Sequence, residues 1–224
     1  MIKTLMCAML CSFAALATPI TSVTLADVPP SSPILGVPGL YVSPYTLSIN
    51  GTNVAGLCID FDDPADVGQT WNAYLSVDGG DISKTYHPDR AIAYQQEAYI
   101  YTQITKPGIS AQEQTNWQEA AWLIMNATYG LGNPTYGPSA TALQYLMQAQ
   151  SNASSVDPMR FVVVSSSDPQ LVTQEFLAPA SSPAFAGIPM VVHVAVPEPA
   201  SCALLGSGLL IAGLLRFIKR TKTE

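Results

Sequence analysis

The chain has 224 residues, a formal net charge of −7 and 48% hydrophobic residues. An acidic surface repels the phosphate backbone of nucleic acids, which argues against a nucleic-acid-binding function. The length allows one main domain with a sizeable hydrophobic core.

The first residues have the pattern of a secretory signal peptide. Lys3 provides an early positive charge, an apolar stretch runs from Leu5 to Ala17, and small residues follow up to Ala26. This order of charge, apolar run and small residues is typical of an export leader. We therefore predict a signal peptide over residues 1–26, cleaved after Ala26.

The segment after this leader has the pattern of β-structure. The runs YTLSI and VAGLCIDF flank Asn50-Gly51, a pair that tolerates the positive φ angles of a tight hairpin turn. This pattern predicts a β-hairpin with Cys58 on its second strand. Alternation of apolar and polar residues from Thr70 to Val77 predicts a further strand.

Three helices are predicted in the middle of the chain. Pro88 can occupy the first position of a helix through DRAIAYQQEAYIYTQI, which Pro107-Gly108 would end. Ser110 and Glu113 have the spacing of a capping box at the start of a second helix. Ser139 is the expected N-cap of a third helix.

Strand patterns return after the helices, in RFVVVSS, QLVTQEFLA and PMVVHVAV. Strands interrupted by one helical segment are typical of an α+β domain. We therefore predict a β-sandwich or barrel-like core with an inserted three-helix region, covering residues 27–196.

The last residues, 197–224, have the pattern of a membrane-directed sorting signal. The tripeptide Pro197-Glu198-Pro199 precedes an apolar segment, which predicts a transmembrane helix over residues 200–218 with a basic tail. This order resembles the PEP-CTERM signal of exported bacterial proteins. The resemblance implies that exosortase, a membrane protease, processes the chain near Pro197, Glu198 and Pro199.

Cys58 is the only cysteine outside the two predicted terminal segments. Cys7 and Cys11 lie in the predicted leader, and Cys202 lies in the predicted membrane helix. An unpaired thiol in an oxidising compartment needs an explanation. Three explanations stay open: an internal thioester, an inert thiol in the core, and an intermolecular disulfide.

Three short motifs accompany this cysteine. They are Leu57-Cys58-Ile59-Asp60, then Trp117-Gln118-Glu119-Ala120-Ala121-Trp122, and finally Thr173-Gln174-Glu175-Phe176-Leu177-Ala178. Their order and wide spacing resemble the thioester domain of bacterial surface adhesins. Trp117 and Thr173 depart from that pattern, which has threonine and a more hydrophobic residue at these positions.

The resemblance implies roles for four residues. Cys58 and Gln174 would form an internal thioester, while Gln118 and Trp122 would shape and shield the site. A thioester is an activated acyl group that an amine of a partner can take. Residues 27–199 have four basic residues and fifteen carboxylates, so amines and cations are suitable partners.

The acidic run from Asp60 to Asp66 does not fit a calcium-binding EF-hand loop. Pro64 would occupy the fifth position and Trp71 the twelfth, where a bidentate carboxylate is required. We therefore predict a solvated acidic loop, with an irregular cation site as the alternative, and expect no metal or cofactor. His87 and His193 belong to no recognisable signature of a cysteine hydrolase, so we predict that the chain is not an enzyme.

These observations predict an exported protein, anchored in the inner membrane as an intermediate and then placed at the cell surface or outside the cell. Its expected partners are exosortase, the secretion machinery, and an amine-bearing surface molecule or exopolysaccharide. The alternative is a noncovalent structural or carbohydrate-matrix protein of the same fold, with an inert buried cysteine.

Overall fold

The computed structural model describes residues 20–29, 40–126, 129–130, 137–171, 173–188 and 190. The strands of these residues are β1 (Ile20–Asp27), β2 (Tyr45–Ile49), β3 (Thr52–Cys58), β4 (Thr70–Val77), β5 (Phe161–Ser166) and β6 (Phe176–Pro179). The α-helices are α1 (Ala91–Ile104), α2 (Ala111–Met125) and α3 (Ala140–Asn152).

The six strands form a closed barrel in the order β1-β2-β3-β6-β5-β4, and each neighbouring pair is antiparallel. Directly paired residues of an antiparallel ladder share a face. The inward face has large apolar side chains, and the ring of Phe176 packs on Trp71 and Tyr45 with centroids 6.1 and 5.7 Å apart. The core of the domain therefore fills the inside of the barrel.

Helix α1 covers the outside of the barrel at β3, β5 and β6. All six residues of β5 are buried, which requires cover on both faces of the strand. The hydroxyl of Tyr101 donates to the carbonyl of Ala55, and its ring meets that of Phe161. Helix α2 packs against α1 and α3. The predicted α+β class, with a barrel-like core and an inserted three-helix region, is confirmed.

Local sequence signals determine several of these elements as predicted. Asn50 and Gly51 have φ angles of 49° and 80° in the turn between β2 and β3. Ser110 and Glu113 form the capping box of α2. The side chain of Ser139 accepts a hydrogen bond from the backbone of Ala142 at the start of α3.

Two predicted element boundaries were wrong. Helix α1 begins at Ala91 with Arg90 as N-cap, because residues before it form a turn in which the N–H of Arg90 bonds to the carbonyl of His87. Strand β6 begins at Phe176, so Gln174 precedes the strand. The segment PMVVHVAV lies outside the described residues except for Met190.

The predicted leader overlaps the first strand of the barrel. Strand β1 pairs with both β2 and β4, and its side chains Val23 and Leu25 are fully buried. Cleavage after Ala26 would remove this strand and two ladders of hydrogen bonds. The boundary between residues 26 and 27 therefore divides a structural element.

The other terminal predictions concern residues outside the described part. These are residues 1–19 of the predicted leader, the motif Pro197, Glu198 and Pro199, and the predicted membrane helix at 200–218. Among the described residues, no helix has the length and apolar character needed to cross a membrane.

We expect signal-peptide cleavage after Ala17, at the Ala15-Leu16-Ala17 triplet that precedes β1. N-terminal peptide mass spectrometry of exported protein should find Thr18 as the first residue, because this cut preserves β1. A mature start at Asp27 would contradict the expectation. As a control, a recombinant chain starting at Thr18 should fold, whereas one starting at Asp27 should lack the cooperative unfolding transition.

Candidate functional site

Cys58 is the last residue of β3 and is a fully buried free thiol. It pairs with Phe176 of β6, so its side chain lies on the inward face of the barrel. The thiol donates to the carbonyl of Asp60 at 3.1 Å and accepts from the indole N–H of Trp122 at 3.5 Å. Burial raises the pKa of Cys58 to about 12, although the bond from Trp122 lowers it.

Gln118 and Ser43 hold both backbone groups of Cys58. The side-chain amide of Gln118 donates to the carbonyl of Cys58 at 2.6 Å, and its oxygen accepts from the N–H of Ser43 at 3.0 Å. The hydroxyl of Ser43 accepts from the N–H of Cys58 at 2.8 Å. Gln118 therefore connects α2 to the end of β3 and to the segment before β2.

One aromatic ring contacts the thiol, and two further rings pack against that ring. Trp122 packs against Phe61 and Tyr129 with ring centroids 5.0 and 5.2 Å apart, and Phe61 meets Tyr129 at 4.7 Å. Since Trp122 is fully buried and contacts the sulfur directly, this cluster keeps water away from it. The predicted shielding position of Trp122 is consistent with its contacts.

Gln174 lies on the segment that leads into β6 and is half-buried. The ladder between β3 and β6 extends one step beyond the paired residues, through a 3.0 Å hydrogen bond from the N–H of Ile59 to the carbonyl of Glu175. Gln174 is the next residue along this segment. Among the described residues, the hydrogen-bond partners of the thiol are Asp60 and Trp122, and Gln174 is not one of them.

Glu175 is a buried carboxylate that fixes the segment containing Gln174. One carboxylate oxygen accepts from the N–H of Tyr86 at 2.9 Å and from the hydroxyl of Ser165 at 2.5 Å. The other accepts from the hydroxyl of Tyr94 at 2.7 Å. Burial raises the pKa of Glu175, while the bonds from Ser165, Tyr94 and Tyr86 lower it.

The sequence analysis assigned no role to Glu175 or to Ser43. A glutamate directly before the apolar residues FLA was a usable signal, because a charged residue that becomes buried requires several hydrogen-bond donors. Ser43 offered no comparable signal, since its role depends on contacts with Cys58 that are distant in sequence.

The acidic run near the thiol is only partly solvated, which corrects the prediction of a solvated loop. Asp60 is buried, and its carboxylate accepts from the N–H of Asp62 at 3.0 Å. Burial and a hydrogen bond with Asp63 raise the pKa of Asp60 to about 7. Among the described residues, no group of three His, Cys, Asp or Glu side chains has an arrangement that could hold a metal ion.

His87 is not among the hydrogen-bond partners of the Cys58 thiol within the described part of the chain. His87 lies before α1, and its backbone N–H donates to the hydroxyl of Tyr94. Burial lowers the pKa of His87. His193 lies outside the described residues. That the chain is not an enzyme stays a prediction.

No family model, curated protein or solved structure matches this chain. The functional inference therefore depends on the geometry of the site and on the sequence motifs.

We expect Gln118→Ala to lower the free energy of unfolding by roughly 2–4 kcal/mol, because it leaves the buried carbonyl of Cys58 and the N–H of Ser43 without a partner. Urea denaturation measures this change. Gln112→Ala is the matched control, since Gln112 is an exposed glutamine on the same helix, and it should change stability by less than about 0.5 kcal/mol. Equal effects of the two substitutions would contradict the role of Gln118.

Proposed function

We propose that this protein is an exported bacterial surface protein that attaches covalently to an amine-bearing partner through a Cys58–Gln174 thioester. The observation that supports it best is the ladder between β3 and β6. It pairs Cys58 with Phe176 and continues to Glu175, beside Gln174. Residues two apart on an extended segment share a face, so Gln174 would lie on the same face as Cys58.

The thioester forms by exchange at the carboxamide carbon of Gln174. The sulfur of Cys58 bonds to that carbon, the carbon–nitrogen bond breaks, and the thiol proton leaves with the nitrogen as ammonia. A partner amine later attacks the same carbon and forms an amide. The sulfur leaves and recovers a proton as the thiol, so no oxidant or reductant is needed.

The neighbouring residues suit this chemistry in two ways. Gln118 and Ser43 bond to the backbone of Cys58 and thereby hold the sulfur in a fixed position relative to β6. The aromatic residues at the thiol exclude water, which competes with the amine for the thioester. The indole N–H of Trp122 points at the sulfur and can stabilise charge that develops on it when it leaves.

The class of partner follows from the charge of the domain. Asp62, Asp63 and Asp66 follow the thiol strand closely, and the domain has a large excess of carboxylates. These charges attract a cationic amine such as a lysine side chain or an amino sugar. The amine must lose a proton before it attacks, so attachment should be faster at mildly alkaline pH.

An inert cysteine in the same fold is the alternative function class. Complete burial of Cys58 and its raised pKa are also the properties of a structural core thiol. The protein would then be a noncovalent structural component of an exopolysaccharide matrix. Intact mass distinguishes the two classes, because only the thioester removes ammonia.

Export and sorting are proposed from the sequence at the two ends. The apolar N-terminal run supports secretion, and Pro197-Glu198-Pro199 before an apolar segment and a basic tail supports processing by exosortase. The order of events would be export, temporary anchoring in the inner membrane, and transfer to the cell surface or the medium.

We expect the folded domain, purified in buffers without amines, to weigh one ammonia less than its sequence mass. Intact mass spectrometry checks this, and Cys58 should resist alkylation until the protein is unfolded or treated with a small amine. Methylamine should add its own mass and release a titratable thiol, because aminolysis places the amine on Gln174 and frees the sulfur.

Variants identify the two bonded residues. Cys58→Ala and Gln174→Ala should each abolish the mass deficit, whereas Gln170→Ala should retain it, since Gln170 is an exposed glutamine close to the same segment. Full sequence mass in the amine-free wild-type protein, together with a reduced thiol, would reject covalent attachment and leave the structural alternative.

A further inference from the structure

Two buried carboxyl groups lie without hydrogen-bond partners between α1 and the barrel. Glu97 of α1 is 0% exposed, and neither of its carboxyl oxygens has a hydrogen-bond partner among the described residues. Asp78, directly after β4, is 1% exposed, and within the same part of the chain both of its carboxyl oxygens also lack a partner. The buried hydroxyl of Ser76 likewise has no partner in the part of the chain that the structure describes. Such groups are rare in native proteins, because each one costs the free energy of its lost hydration.

The strand register and the helix period place these groups at one interface. Leu75 pairs with Val164, which faces inward, so Ser76 and Asp78 point to the outside of the barrel. Glu97 lies three residues after Tyr94, which contacts Glu175 of the barrel, so it lies on the barrel-facing side of α1.

The charged and titratable groups around Glu97 do not neutralise it. The charges of Asp78 and Glu175 both disfavour its ionisation, and Glu97 in turn raises the pKa of Cys58. Both carboxylate oxygens of Glu175 already accept hydrogen bonds from donors other than Glu97. Gly79 has a backbone N–H near Asp78 that lowers the pKa of this carboxyl without reaching hydrogen-bonding geometry.

On the described elements packed on α1, the cationic side chains are either already hydrogen-bonded or exposed. Arg90, at the start of α1, donates to the carbonyl of Met125. Glu119 of α2 accepts from Ser139. Asp157 and Arg160 flank the short helical turn next to α1 and are exposed. The phenol of Tyr101 donates to a backbone carbonyl.

We propose that Glu97 and Asp78 are a proton-dependent lock, which holds α1 on the barrel while they are protonated and releases α1 when they ionise. A neutral carboxyl group can remain in this dry interface, whereas a carboxylate without a partner requires water. Hydration of the interface requires α1 to move away from the barrel. The lock does not require that the thioester forms.

The direction of the pH effect follows from the folded-state pKa values. Burial raises the pKa of Glu97 well above its usual range and that of Asp78 to about 7. The stability from the neutral forms is present below the unfolded-state values, near 4, and is lost as the pH rises through the folded-state values. Each such carboxyl raises the unfolding equilibrium constant by about tenfold per pH unit in that window.

Release of α1 from the barrel would also remove contacts that hold the thiol site in place. Helix α1 carries Tyr94, whose hydroxyl bonds to Glu175 beside Gln174, and Tyr101, whose hydroxyl bonds to β3. Losing these contacts would free the segment before β6 and expose the end of β3. Alkaline pH would therefore open the site as well as deprotonate an incoming amine.

The test compares wild-type protein with Glu97→Gln and Asp78→Asn from pH 5 to pH 9. Urea denaturation should show that the wild-type unfolding constant, divided by that of Glu97→Gln, rises by up to tenfold per pH unit, because glutamine cannot ionise. Asp66→Asn is the control, since Asp66 is exposed in the loop after β3, and the ratio of its unfolding constant to that of the wild type should not change with pH.

Hydrogen exchange locates the opening. After correction for the intrinsic exchange rate, amides of α1 in the wild-type protein should lose protection as the pH rises, before those of α2 and in advance of global unfolding. In Glu97→Gln this loss should shrink to the part that ionisation of Asp78 causes near pH 7, and in the double variant Glu97→Gln/Asp78→Asn it should disappear. Asp78→Asn should shift the loss of α1 protection to higher pH. This variant provides the same test if Glu97→Gln fails to fold. The lock would be contradicted if the protection of the α1 amides did not depend on pH, or if it depended on pH in the same way in all variants. Either result would indicate that the two carboxylates are already hydrated in the folded protein.

Discussion

The short pairing between β3 and β6 is the interaction on which the rest of the structure depends. Only two residue pairs and one further backbone hydrogen bond join these strands, yet this contact completes the ring of six strands. It also determines which residues meet at the thiol, since Cys58 lies at the end of one strand and Gln174 just before the other. The pairing that closes the barrel therefore also assembles the thiol site.

The buried polar groups of the domain differ in whether their hydrogen-bonding atoms are satisfied. Near the thiol, Glu175 and Gln118 have their hydrogen-bonding groups occupied by backbone and hydroxyl partners. Between α1 and β4, by contrast, Glu97 and Asp78 have no hydrogen-bond partner for their carboxyl oxygens among the residues that the structure describes. The first arrangement stabilises a fixed geometry at any moderate pH, whereas the second depends on the protonation state. The two arrangements are neighbours, since Glu97 lies one helical turn after Tyr94, which donates to Glu175.

Local signals in the sequence predicted elements whose cause is local. The Asn50-Gly51 turn and the Ser110 capping box needed only their neighbours in the chain. Strand β1 could not be separated from a leader, because an apolar N-terminal run has the same composition in both, and only its pairing with β2 and β4 distinguishes them. The burial of Glu97 and the network of Glu175 depend on contacts between distant segments, which a single sequence does not encode in a readable pattern.

The order of the strands has a consequence for how the chain folds. The last strand of the described residues enters the barrel between β3 and β5, so the ring cannot close until the whole helical region and β5 have been synthesised. The entropy of closing such a long loop must be overcome by few contacts, and topologies dominated by non-local pairing fold slowly. Until β6 docks, β3 has an open edge, and its terminal sulfur is accessible to oxidants and to other chains. The time needed for this last step therefore sets how long the nascent protein is vulnerable to aggregation and misoxidation.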